Sequence, residues 1–418
     1  MDIPSDRSEV VFQDFKAAFT PAQAVTEANR CLFCADAPCV QACPTEIEIP
    51  QFIRKIATGN LKGSARTIFD SNILGMSCAR VCPVEVLCAG ACVYNHRGEE
   101  PIAIGKLQRY ATDEAFAKGW RFFTAGKATG KSVGLVGAGP ASLAAAHELR
   151  RRGHAVTIYD KRKVVGGLNT TGVAPYKMKS DRSLDEVRYV LGIGGIEVKT
   201  GVEITDFLAL QKQHDAIFIG VGLGADSKLG IPGEDRTHGA VEMIEKLKLG
   251  RVAFDKTKPA VVVGGGNTAL DAVRELKGLG IDNVTLVYRG QEPSMSGYQH
   301  EWAAAKLENV RAEWQTQPVA YEGGVLKCVK LDAAKKAIAG SDFAVPAELV
   351  LVAIGQAKLA VPGLKVEKGC IVADENGATS VKGVYTGGDC MNGGKEVVNA
   401  AAEGKCAAIA IDKFLGGK

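Results

Sequence analysis

Eight cysteines between residues 31 and 92 constrain this chain more than any other feature. They fall in two runs, Cys31-x2-Cys34-x4-Cys39-x3-Cys43-Pro44 and Cys78-x3-Cys82-Pro83-x4-Cys88-x3-Cys92. Whatever forms here must gather thiols. Thiolates at such spacings can wrap iron–sulfur clusters, and Cys-Pro is a familiar end to a ferredoxin-type run. Zinc knuckles favour pairs of C-x2-C split by a longer loop. Here a single C-x2-C occurs, and each run holds four closely spaced thiols. Two [4Fe–4S] cubes are the natural count, each needing four ligands. Spacing does not divide the thiols between them. By the logic of two-cluster ferredoxins, Cys43 and Cys92 would cross over.

The surroundings favour ligation over disulfides. Met1 to Val10 is polar and mixed in charge, unlike a secretory signal, and no apolar run approaches the roughly 20 residues of a membrane span. The expectation is a cytoplasmic protein that meets no membrane. In that reducing compartment clustered cysteines serve as ligands. A net charge of +4 over 418 residues, with the basic residues spread out, points away from nucleic acid. The remaining cysteines, Cys328, Cys370, Cys390 and Cys406, form no C-x-x-C, which a thioredoxin reductase type of disulfide exchange would want near a flavin. The six histidines show no clustering and are given no role; no catalytic acid–base residue is assigned.

The cysteine region reads as helical. Thr20-Pro21 starts a helix that delivers the chain to Cys31. Ile49 to Phe69 is a second helical stretch, broken at Gly59-Asn60, so the two runs are loops held side by side by a helical hairpin. Pro101 to Ala117 is a further helix.

After a linker at 126–130 comes a strand, the turn Gly137-Ala138-Gly139-Pro140-Ala141-Ser142, and a helix. The next strand ends at Asp160. Glycines there let backbone N–H groups approach a pyrophosphate at the helix N-terminus, and the acid can accept from ribose hydroxyls. Gly166-Gly167-Leu168 follows where flavin-binding members of this fold carry GGL. A second strand enters Gly264-Gly265-Gly266-Asn267-Thr268-Ala269-Leu270-Asp271, again with a helix and then the strand Val284–Tyr288. Two complete dinucleotide turns suit a bound flavin and a mobile nicotinamide. Gly387-Gly388-Asp389, followed by a closing helix, is a late flavin motif. The candidate FAD set is Gly137, Ala138, Gly139, Pro140, Ala141, Asp160, Gly167, Val202, Gly222, Gly388, Asp389, Glu396 and Val397. The candidate NAD set is Gly264, Gly266, Asn267, Thr268, Ala269, Asp271, Arg289, Ala353, Ile354 and Gly355. A 2′-phosphate needs basic side chains after the second strand of its site. The sequence there is Tyr288-Arg289-Gly290-Gln291-Glu292, with one arginine and a repelling acid, so NADH is expected.

The segments CLFCADAPCVQACPTEIEIPQFI, GMSCARVCPVEVLCAGACVYN and PIAIGKLQRYATD resemble the amino-terminal iron–sulfur domain of dihydropyrimidine dehydrogenase, and less closely the small subunit of bacterial glutamate synthase. The resemblance implies one cluster on Cys31, Cys34, Cys39 and Cys92. It implies a second on Cys43, Cys82, Cys88 and the side-chain oxygen of Gln108, with Cys78 a bystander. From the residues alone Cys78 is the better iron ligand. The family would use Leu168 and a basic residue near FAD at Lys177, which is not equivalent to arginine. The expected architecture is α+β and multidomain. It comprises an α-helical iron–sulfur domain (1–125), then two Rossmann-like α/β nucleotide-binding domains. The FAD domain is discontinuous (126–256 and 356–418), and the NAD domain is inserted into it (257–355). The resemblance covers only the electron-input portion of dihydropyrimidine dehydrogenase. It therefore implies a hetero-oligomer with a separate FMN-containing catalytic subunit that reduces uracil or thymine. The alternative is a glutamate synthase small-subunit-like oxidoreductase serving another partner.

Overall fold

The computed structural model describes residues 3–417; residues 1–2 and 418, the outermost ends of the two terminal domain assignments, lie outside the described residues. Helices dominate up to residue 117. Pro21–Arg30 starts at Thr20, whose hydroxyl accepts from Gln23 N while the Gln23 side chain accepts from Thr20 N. This capping box satisfies two amide donors that a helix start leaves free. The hairpin forms as Ile49–Ala57 and Leu61–Ser71, with Asn60 capping the second helix through Gly63 N. Two details differ from expectation. The helix read from Pro101 begins at Ile104. Both cysteine runs are partly helical: Pro38–Gln41 carries Cys39, and Gly75–Val81 carries Cys78 and ends at Cys82.

Five parallel strands make the first sheet, β1 (Ser132–Val136), β2 (Ala155–Asp160), β3 (Ile196–Thr200), β4 (Ala216–Ile219) and, much later, β15 (Val384–Thr386), in the order β15-β4-β1-β2-β3. The second sheet is also parallel. It comprises β5 (His238–Gly239), β6 (Ala260–Val263), β7 (Val284–Tyr288), β8 (Arg311–Trp314) and β12 (Leu349–Val352), ordered β5-β12-β6-β7-β8. Its apolar strands are buried on both faces, as parallel sheets require. An antiparallel sheet of β9 (Thr316–Glu322), β10 (Val325–Lys330) and β11 (Phe343–Pro346) covers one side. The remaining strands, β13 (Val366–Glu367) and β14 (Cys370–Ile371), form a small hairpin.

The first nucleotide domain is thus discontinuous and the second is inserted. The inserted unit starts before His238 rather than at 257, because β5 pairs with β12 and the helix Ala240–Leu249 packs beside it. A two-residue strand carries no periodicity for a sequence reading to detect.

The helical domain and the first nucleotide domain share one continuous core. Phe69 stacks on Tyr189 at 5.1 Å across that boundary. Beside it, Glu186 reaches from the helix Ser180–Leu191 to the start of Gly75–Val81. There it accepts from Met76 N (2.9 Å) and Ser77 N (3.1 Å) and bonds the Ser77 hydroxyl. It caps the cysteine-bearing helix from another domain. A strap at the start of the chain ties all three units. Ser8 N donates to Gly250 O at 2.9 Å, Glu9 accepts from Ser180 N at 3.0 Å, and Lys16 Nζ donates to Cys82 O at 2.7 Å. Under the strap the wholly buried Lys248 donates to Val173 O and Met178 O, and burial pulls its pKa down to about 8.

Burial also pushes the Glu186 carboxyl up to about 7, against an unfolded value of about 4.3. The native state therefore holds this proton longer than the unfolded state. Between those two values the carboxyl's contribution to stability falls as pH rises. Against Glu186→Gln, the wild-type protein should lose melting temperature progressively across that window and show a constant gap above it. Parallel melting curves would contradict the assignment.

Candidate functional site

The two cysteine runs fold into two cavities that share Ile49 as a wall. The first is lined by Cys31, Cys34, Cys39 and Cys92 among Leu32, Pro38 and Ile53. The second is lined by Cys43, Cys78, Cys82, Cys88 and Gln108, with Val398. Each cavity therefore mixes thiols from both runs, as crossover ligation requires. The sulfurs surround a space rather than a point: among the described residues no three Cys, His, Asp or Glu side chains converge as on a single ion. Burial pushes the Cys39 thiol up to about 12 and raises Cys31 and Cys88 too. Grouped thiolates are stable in such surroundings only beside a cation, and an iron–sulfur core supplies one. The donor set thus fits the group.

Both candidates for the eighth ligand line the second cavity. The Gln108 Nε2 donates to Gly75 O at 2.7 Å, which leaves its Oε1 free. Cys78 Sγ accepts from Asn72 Nδ2 at 3.2 Å.

The first glycine turn leaves the carboxyl end of β1. Gly137 has φ +94°, and a Cβ there would stand 2.4 Å from Gly220 O. Gly139 caps the helix Pro140–Arg151, with Ala138, Pro140 and Ala141 alongside. Gly167, at φ +56°, packs directly on Gly139: its Cβ would lie 2.8 Å from Gly139 Cα. Leu168 begins a short helix behind it. Asp160, at the end of β2, accepts from Ala138 N and Arg162 N at 2.7 Å each, so the acid also braces the turn. Val202 N donates to Asp160 O, and Gly222 follows β4 with φ +68° and open space at its Cβ position. Gly388 and Asp389 follow β15. These residues all sit at the carboxyl ends of one parallel sheet, where open α/β sheets bind ligands. The helix Val397–Phe414, capped by Glu396, lies backbone to backbone against Pro140–Arg151, since a Cβ at Gly404 would stand 2.0 Å from Ala141 O. Burial, then Glu403 and Glu396, push the Asp389 carboxyl up to about 6.

The second turn repeats the pattern at β6. Gly264 has φ +150° with its Cβ position 2.2 Å from Ala353 O, and Gly266 caps the helix Asn267–Gly278, which holds Thr268, Ala269 and Asp271. Ala353, Ile354 and Gly355 follow β12 on the same edge. Arg289 is exposed. Gly290 is buried, and a Cβ there would meet Ser294 Oγ at 2.6 Å and the Tyr288 ring at 2.7 Å. Glu292 is ion-paired with Lys306 at 2.7 Å. It is therefore less free to repel a nucleotide phosphate than the sequence implies.

One pair departs from expectation. Lys177, assigned to FAD, and Asp271, assigned to NAD, meet each other at 2.7 Å across the two domains, with Glu301 2.6 Å from the same ammonium. Burial alone would lower the Lys177 pKa, but the two carboxylates outweigh it and raise it. These side chains lock the domains together.

The sequence reading missed Tyr298 and His300, because its reading of that loop stopped at Glu292. Gly297 N donates to Gly265 O at 2.9 Å, which folds the loop over the second turn. Tyr298 N donates to Asn267 Oδ1 at 3.0 Å and its hydroxyl to Glu396 Oε1 at 2.7 Å. The ring stacks on His300 at 5.6 Å, and His300 Nε2 lies 3.5 Å from Glu85, in the loop between Cys82 and Cys88. An aromatic residue in the loop after the second strand of a dinucleotide turn was the available signal.

Known proteins share this two-part architecture. Residues 7–120 match the family described as dihydropyrimidine dehydrogenase domain II, 4Fe-4S cluster, and residues 131–404 match pyridine nucleotide-disulphide oxidoreductase. Among solved structures the likeness is at the level of fold: T. acidophilum thioredoxin reductase superposes with a TM-score of 0.56 at 21% identity, covering 68% of this chain and 98% of that one. Mycobacterium tuberculosis FprA in complex with NADPH gives 0.54 at 20%, covering 68% and 85%. By class this is a pyridine nucleotide oxidoreductase, a flavoprotein fold joined to an iron–sulfur domain. The NAD-dependent dihydropyrimidine dehydrogenase subunit PreT of Escherichia coli K12 is 34% identical over 96% of this chain and 96% of its own length. The glutamate synthase [NADPH] small chain of the same organism is 32% identical over 97% and 94%. The chain belongs to this family of iron–sulfur electron-input subunits. No helix among the described residues is long and apolar enough to cross a membrane.

The backbone contact at Gly404 has a direct test. Gly404→Ala should destabilise the protein by about 1–3 kcal/mol, the usual cost of overpacking a tight contact, measured by thermal unfolding. Unchanged stability would mean the two helices are free to separate.

Proposed function

We propose that this chain is the electron-input subunit of an NAD-dependent dihydropyrimidine dehydrogenase. The observation that carries the reading is an order of sites. Tyr298 and Glu396 join the second glycine turn to the first domain's closing helix. Val398, near the start of that helix, lines the second thiol cavity. Ile49 separates this cavity from the first, whose Cys31, Cys34 and Cys39 are part-exposed beside Leu32, 52% exposed. When bound, FAD can take a hydride from NADH and release electrons singly to clusters that carry one each. The chain's own part is to hold these groups in sequence and to present the first cavity to a partner. That partner would be the FMN-containing subunit that reversibly reduces uracil or thymine to the 5,6-dihydropyrimidine, in a cytoplasmic hetero-oligomer. The identity to the glutamate synthase small chain keeps a second reading in play: the same input supplied to a glutamate-forming partner. Uracil-dependent NADH oxidation by this chain with its co-purifying partner tests the first reading. Activity on glutamine and 2-oxoglutarate instead would replace it with the second.

In this reading Cys31, Cys34, Cys39 and Cys92 hold one cluster, and Cys43, Cys82, Cys88 and Gln108 the other. Gln108 is preferred to Cys78 on the family resemblance, and the bond from its amide to Gly75 O holds the side chain against the cavity. Cys78→Ser should keep iron near eight atoms per chain, the content of about two cubes. Gln108→Leu should alter the spectrum or iron content of one cluster. Loss of iron on Cys78→Ser would make the sulfur the ligand.

NADH is the preferred donor in this reading, supported by the close packing at Gly290, which leaves no room for a second basic side chain without moving Tyr288. Without that partner for a 2′-phosphate, kcat/KM for NADH should exceed that for NADPH by about tenfold or more. A preference for NADPH would refute it.

A further inference from the structure

The strap at the start of the chain carries a cation to the second thiol cavity. Its backbone is clamped at residues 15 and 16. Phe15 N donates to Tyr176 O at 2.8 Å, in the first nucleotide domain, and Arg109 donates to Lys16 O from the helical domain. Arg109 is held in turn by Asp14 and, at 3.1 Å, by Asp113, which also pairs with Arg80 at 2.7 Å. Arg109 follows Gln108 on Ile104–Ala117, and Arg80 stands between Cys78 and Cys82 on Gly75–Val81. The clamp is therefore built on the elements that wall the second cavity.

From this clamp the half-buried Lys16 donates through its Nζ to Cys82 O at 2.7 Å. Burial pulls the Lys16 pKa down, and Glu85, Cys82 and Cys88 act against that, with Lys177 opposing them. Glu85 is shared with His300, 3.5 Å away. The Cys82 carbonyl needs only one donor, and a neutral one would satisfy it without the cost of withdrawing a charge from water. The charge has a different use beside two thiols. Thiolates around an iron–sulfur core leave a net anion, one further electron makes it more negative, and net charge and hydrogen bonding set the potential. A fixed cation nearby favours the reduced form.

We propose that Lys16 sets the reduction potential of the cluster in the second cavity, raising it by one positive charge held beside Cys82 and Cys88. The electron it attracts comes from the flavin that NADH reduces, and no bond is made or broken in the transfer. This inference rests on the reading of that cavity as a cluster site.

The test is a potentiometric titration of the full-length holoprotein with dithionite, read by electron paramagnetic resonance of the reduced clusters. Lys16→Met removes both the charge and the donor. Lys16→Gln removes the charge but keeps a donor for Cys82 O, and Lys16→Arg keeps the charge. In the two neutral variants the reduced-to-oxidised ratio of one cluster at a fixed potential should fall by roughly tenfold, the order of effect of a unit charge acting over about 10 Å. For one electron that is a downward shift of about 59 mV. The other cluster should move less, and Lys16→Arg should stay near the wild-type midpoint. A wild-type midpoint in Lys16→Gln overturns the proposal, because the hydrogen bond alone would then suffice. Loss of iron from both neutral variants overturns it too, by making Lys16 a folding residue. Iron and sulfide analysis showing fewer than two clusters in the wild-type protein would instead remove the functional reading, and this inference with it.

Discussion

The absence of a side chain at Gly404 lets two helices touch through their backbones, and much of the molecule depends on that contact. The closing helix can lie on Pro140–Arg151 only because nothing intervenes at Ala141 O. That placement returns the last sixth of the chain to the first sheet and sets Gly388 against Ala141. It also puts Glu396 opposite Tyr298 and Val398 against the second thiol cavity. One close approach thus fixes the carboxyl edge of the first sheet, a contact between the two α/β units and the wall of a thiol cavity together.

Features with a local physical requirement could be read from the sequence. Glycine turns need positive φ or vanishing Cβ volume at particular positions, and Gly137 and Gly264 have both requirements. Thr20-Pro21 and Asn60 cap helices where expected, since a cap is decided within four residues. The cysteine runs declared that thiols would gather. What remained hidden was set by distant partners. Lys177 and Asp271 were assigned to different cofactors, and only the fold shows them paired. Tyr298 gains its meaning from Glu396, 98 positions away. Neither spacing nor propensity separates Gln108 from Cys78, because both reach the same cavity from different helices.

Charge buried between the units explains why they behave as one body. Glu186 reaches across to cap the cysteine-bearing helix, Lys248 is buried against backbone carbonyls of the neighbouring domain, and Lys177 sits between two carboxylates. Each would cost most in a misaligned packing that kept one of these groups buried without its partner, since a buried polar group left unpaired bears its full desolvation penalty. Shared apolar core supplies cohesion between the helical domain and the first nucleotide domain. The buried polar contacts add directional bonds at the boundaries between the units.

The position of β15 has a consequence for how the protein is made. The first sheet is begun at residue 132 but closed only by Val384–Thr386 against β4. Until Val384–Thr386 has been made, β4 is an open edge of the first sheet. Such non-local pairing is slow and leaves unpaired strand edges exposed in the meantime. Every strand of the second sheet is therefore made before the first sheet can be closed.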